Sequence, residues 1–193
     1  MGDVVPVCSP WQYNAAPDSM VSDSLIWIDA AAYSGQPGPV YQAAAKVVDQ
    51  SRYGHHGTSY QATAGNRGLV FDNADDRISL GTNILNPRLS GVRGISAAVW
   101  LRPVGLASGA GRNQIFGIAL HSTSSGFSAW FTDSGKLVAG GRSQSGDSFQ
   151  SFTTPSAVAS VDSDIFFCVV MDFAADRIKL WVEDRMLINQ SVT

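Results

Sequence analysis

The sequence carries little charge: Asp, Glu, Lys and Arg make up only 15% of its 193 residues, and the net charge is -3. Nothing in it forms the basic surface that attracts a polyphosphate backbone, so nucleic acid is not an expected partner. Cysteine is equally scarce. Cys8 and Cys168 are too few for a disulfide framework and have no metal-ligand spacing, although a bridge between the two stays open. Cys168 lies in the apolar run Ile165-Phe166-Phe167-Cys168-Val169-Val170-Met171, where a free thiol reads as a small buried apolar side chain. No stretch approaches the roughly 20 apolar residues of a membrane helix. Residues 1–10 lack the basic start and apolar segment of a secretion signal. Motifs that announce chemistry are missing as well: there is no G-x-S-x-G elbow, no P-loop and no H-E-x-x-H.

What is present favours strands. Hydrophobic residues make up 45% of the chain, and 19 glycines punctuate it. Strands joined by tight turns fit that composition better than amphipathic helices, which need more Glu, Lys and Leu. Residues 1–23, broken by Pro6, Pro10 and Pro17, cannot build a hydrophobic face and read as an extended arm. Trp11 and Tyr13 are the exceptions on that arm, aromatics that need something to dock on. Residues 24–193 read as one domain of short strands. Leu25-Ile26-Trp27-Ile28 is the first. Leu69-Val70-Phe71 and Arg77-Ile78-Ser79-Leu80 flank the polar turn Asp72-Asn73-Ala74-Asp75-Asp76. Ile95, Ala97, Val99 and Leu101 alternate with Ser96, Ala98, Trp100 and Arg102, a period of two with one side turned to a core. Residues 115–120, 127–131, 136–139 and 149–153 continue the series, and Asp133-Ser134-Gly135 has the chemistry of a three-residue hairpin loop. Next comes the strand 166–172, and then Ile178, Leu180 and Val182 alternate with Arg177, Lys179, Trp181 and Glu183. Helix is expected at most for a turn or two over residues 41–46.

Four segments, in order, resemble laminin-G-like, concanavalin A-like domains. Asp49-Gln50-Ser51-Arg52-Tyr53-Gly54-His55-His56-Gly57-Thr58 resembles their D-x-S-x-x-G-x-x-G-T loop. Gly68-Leu69-Val70-Phe71-Asp72, continued by Asp75-Asp76-Arg77-Ile78-Ser79-Leu80, resembles a second segment. Ile95-Ser96-Ala97-Ala98-Val99-Trp100-Leu101-Arg102-Pro103 resembles the strand that follows. Met171-Asp172 with Arg177-Ile178-Lys179-Leu180-Trp181-Val182-Glu183-Asp184 resembles the family's late hairpin. The resemblance implies an all-β fold, a two-sheet antiparallel jelly-roll sandwich. Its core is expected to include Phe71, Val99, Val169, Ile178 and Leu180. The sequence departs from the pattern at Asp184, where the family has Gly, and at Phe166-Phe167, where it often has Trp-His. The family also adds a Gly-rich strand pair after the late hairpin, so the sheet is expected to close differently or to be completed by another segment.

Related glucanases carry E-x-D-x-x-E on one strand, and this sequence does not. Glu183 and Asp184 are adjacent and read as turn carboxylates, and His55-His56 as turn histidines. Catalytic residues are therefore expected to be none. No cofactor is expected, with calcium as the one to weigh: Asp72, Asp75 and Asp76 offer hard oxygen ligands close together, or else form a polar hairpin turn. Trp100, Trp130 and Trp181 are candidates for stacking on a sugar ring, while the plain reading of Trp100 and Trp130 is core. Trp11, Tyr13, Phe166, Cys168 and Val170 are candidates for assembly, because the strand 166–172 is apolar on both faces. The resulting expectation is a non-enzymatic structural or adhesive virion protein of bacteriophage tail-fibre or head-decoration type. Its partners would be other virion subunits, further copies of itself and cell-surface glycans. A carbohydrate-binding module of a larger secreted protein and a glycan-processing enzyme are the alternatives.

Overall fold

A computed structural model describes residues 26, 28, 45–65, 68–71, 76–81, 91–106, 113–121, 124–142 and 147–192. Among these residues there is no helix, and every strand pairing is antiparallel. They fall into two compact units, one within residues 26–81 and the other within residues 91–192.

The first unit contains β1 (Ala45–Val47), β2 (Gly57–Tyr60), β3 (Thr63–Gly65), β4 (Gly68–Val70) and β5 (Arg77–Ser79). Its sheet has the order β1-β2-β5, and β3 and β4 form a separate ribbon. The segments around residues 72–76 are therefore not hairpin partners: β4 pairs with β3 and β5 with β2. Ala45 and Lys46, read as the end of a helical turn, belong to β1 instead. Ile26 and Ile28 lie outside any strand, and Leu25 and Trp27 are not among the described residues.

The loop from β1 to β2 is held by the residues that its motif singles out. Asp49 is buried and its carboxylate accepts bonds from the Ser51 amide at 2.9 Å, the Ser51 hydroxyl at 2.7 Å and the His55 amide at 2.7 Å. A buried carboxylate costs several kcal/mol unless donors surround it, and here the loop itself supplies them. Gly54 stands at φ 62, in the left-handed region that favours glycine. Gly57 lies against β5, where an added Cβ would come 2.6 Å from Ile78 Cγ2.

The second unit contains β6 (Gly94–Leu101), β7 (Asn113–His121), β8 (Ser124–Phe131), β9 (Leu137–Gly141), β10 (Gln150–Thr153), β11 (Ile165–Asp172), β12 (Arg177–Val182) and β13 (Arg185–Ser191). They form two sheets, β10-β9-β8-β7 and β13-β12-β11-β6. Between the sheets lies one apolar cluster. Phe127, Ala129, Phe131, Leu137 and Ala139 come from the first sheet, and Phe167, Val169, Met171, Ile178 and Leu180 from the second. The unit is a β-sandwich, held mainly by burial of these side chains, the larger ones contributing about 1.5–3 kcal/mol each.

Phe131 and Phe167 meet edge to face across the gap, with ring centroids 6.4 Å apart. Met171 reaches across to Gly141, where an added Cβ would collide with its Cε. Of the expected core residues, Val169, Ile178 and Leu180 are fully buried, and Val99 packs against the cluster. Phe71 is not a core residue: it follows β4 and is 45% exposed.

The turn between β8 and β9 has the expected three-residue form. Thr132 donates to the Lys136 carbonyl at 2.9 Å, and Gly135 stands at φ 74. Residues 185–191, not read as a strand, form β13 and close the second sheet by pairing with β12. A bulge falls opposite Leu180 and Trp181, because Leu180 pairs with Ile188 and Trp181 with Met186. The two-residue turn 183–184 places Glu183, not Asp184, at positive φ, 52°.

Candidate functional site

The inner face of the second sheet is the core. Its outer face is the candidate site, and the strand registers fix its layout. Side chains on one face recur every second residue, and residues directly opposite each other share a face. Trp100 and Phe166 therefore form one row, and the turn residue Glu183, past the end of β12, lies beside Phe166. Ala98, Cys168, Trp181 and Met186 form the next. Ser96, Val170, Lys179 and Asn189 follow, and then Gly94, Asp172, Arg177 and Ser191.

Trp100 and Phe166 of the first row, with Ala98, Cys168, Trp181 and Met186 of the second, make an aromatic and apolar band that the second row carries across all four strands, and Val170 adjoins it. Trp100 is 43% exposed and Met186 50%, while Phe166, Val170 and Trp181 are half-buried. The Trp100 and Phe166 rings lie 6.0 Å apart and are tilted by 40°. Cys168 forms the floor of the band, 2% exposed, with Ala98 and Trp181 as its neighbours in the row. It is a buried thiol in an apolar setting, as its sequence context implied.

Charge is confined to the two ends of the face. At one end Arg102 and Asp164 form a two-pronged ion pair at 2.7 and 2.8 Å. The bond to Asp164 holds the Arg102 guanidinium even more firmly protonated than usual. Beside this pair, Glu183 Oε1 accepts the Phe166 amide at 3.0 Å, so this carboxylate braces the turn 183–184 against β11. At the other end Lys179 bonds Asp172 at 3.1 Å. Burial works to raise the Asp172 carboxyl, but the bonds from Lys179 and from the Ala175 and Ala174 amides prevail, and the group sits below the ordinary carboxylate range. Arg177 donates to Asn189, through Nε to its side chain at 2.7 Å and through Nη2 to its carbonyl at 2.8 Å.

The structure thus brings Trp100 and Trp181, read as ligand residues, onto the same face as Phe166, Cys168 and Val170, read as assembly residues. Trp100 is not core. Trp130 is elsewhere: it lies on β8, on the side opposite the core cluster, and is only 7% exposed. Phe149 stacks on Trp130 at 6.3 Å and packs against Gly140, closing over that part of the first sheet. Met186 was missed, because a lone Met after a turn carries no period-two signal until its pairing with Trp181 is known.

Trp11, Tyr13, Asp72 and Asp75 lie outside the described residues; Asp76 is described, half-buried before β5. Among the described residues no three His, Cys, Asp or Glu side chains converge. His56 is exposed, and its Nδ1 accepts the Asp49 amide at 3.1 Å, a loop-closing role. The chain matches no known protein-family model, and no curated protein matches it.

Proposed function

We propose that this chain is a non-enzymatic structural and adhesive module. In this reading it is a jelly roll of the laminin-G-like, concanavalin A-like kind that docks through the outer face of its second sheet. Its setting is a virion or similar extracellular particle, in which it joins other subunits.

One observation carries the reading. A sheet with one face in a core normally turns a polar face to water. This one presents Trp100, Phe166, Trp181 and Met186 in two adjoining rows, and contiguous apolar surface of that kind marks an interaction site. The topology fits the jelly-roll reading. Strands β7 to β10 run as a meander in one sheet, and β6 joins the other sheet beside β11, so the chain crosses between the layers.

Glycan binding is the second reading, favoured by the exposure of Trp100. Against it, the Trp100 and Phe166 rings lean together at 40° and do not form a flat platform. Such a wedge suits interdigitating side chains better than a pyranose ring.

The test uses the full chain with Trp100→Ala and Trp181→Ala. Both side chains lie outside the core, so the variants should keep the wild-type urea midpoint within about 1 kcal/mol of stability. Both should lose incorporation into the native particle. Normal incorporation combined with loss of signal on a glycan array would turn the assignment to the second reading, and turnover of a polysaccharide would overturn both.

A further inference from the structure

We draw no further inference here: the strongest candidate, the groove between the edge strands β10 and β13 lined by Phe152, Pro155, Leu187 and Ile188, carries none, because nothing in the structure shows what covers it.

Discussion

Gly141→Ala tests the packing of the two sheets directly. In the sandwich, the Met171 side chain on β11 occupies the space where a methyl group on Gly141 of β9 would stand, and the Gly126 carbonyl lies 3.1 Å from the same point. Adding the methyl forces the fully buried Met171 out of place, an overpacking change that costs about 1–3 kcal/mol. The gain from stiffening the unfolded chain, about 0.4–1 kcal/mol, offsets part of it. A net loss of about 1–2 kcal/mol is left. With a urea slope of about 2 kcal/mol/M, the midpoint should fall by about 0.5–1 M.

The collision is with the far end of Met171, so Met171→Leu, which lacks that terminal methyl, should relieve it. Alone, Met171→Leu should cost under about 1.5 kcal/mol, as near volume-conserving swaps do. The double variant should be about as stable as Met171→Leu alone, a coupling of about 1–2 kcal/mol for residues in contact. Strict additivity, or a silent Gly141→Ala, would refute the face-to-face contact on which the core assignment rests.

Gly135→Ala should be worse than its size suggests. The position is left-handed and the added methyl would strike the Ala159 carbonyl, which is backbone and cannot swing away, so thermal unfolding should register a loss above about 2 kcal/mol. Asp172 has its folded pKa depressed, so its contribution is present above the unfolded value near 3.9 and is lost as pH falls through the lower folded value. Urea midpoints of wild type and Asp172→Asn should therefore differ at pH 7 and converge in acid below the ordinary carboxylate range; a constant gap would argue against the Lys179 pairing. Phe166→Thr with Val170→Thr should leave a folded, cooperative chain, whereas Phe167→Ala should cost about 3–5 kcal/mol. Equal losses from the two would show that the faces of β11 have been assigned the wrong way round.

Much of the second unit was legible because its alternation is strict. The pattern of β6 and β12 leaves one apolar side each, and Asp133-Ser134-Gly135 demanded a left-handed glycine. The loop around Asp49 was legible through its resemblance to the D-x-S-x-x-G-x-x-G-T segment, and the structure gives the reason for the spacing: the Asp49 carboxylate is buried, and Ser51 and His55 supply its donors. Pairing in the first unit was not legible. Residues 69–71 and 77–80 sit on either side of a turn-like segment, and nearness in sequence made them seem partners. The actual partners are set by close approach, as where Ile78 packs on Gly57. β13 was missed because its apolar residues do not alternate; Met186, Leu187 and Ile188 run consecutively, and only the bulge opposite Leu180 and Trp181 restores their faces. The position of Trp130 depended on Phe149, a residue far enough along the chain that no local pattern could join them.

The apolar excess of β11 raises a question that register answers. A one-residue slip would exchange Phe167, Val169 and Met171 for Phe166, Cys168 and Val170, and both sets are apolar. On its own this strand does not specify which face turns inward. Its neighbours do. The same slip applied to β12 would drive Arg177, Lys179 and Glu183 into the core, at several kcal/mol for each buried charge. On β6 it would bury Ser96 and Trp100 and strip Ile95, Val99 and Leu101 from the cluster. The inward face of β11 is therefore fixed by charges it does not carry. It follows that Phe166, Cys168 and Val170 contribute little to choosing the fold, since polar residues there would only sharpen the register. Apolar side chains that folding does not require, and that would strengthen specificity if replaced, are best explained by a demand from outside the sheet, and the aromatic band they share with Trp100 and Trp181 is where that demand falls.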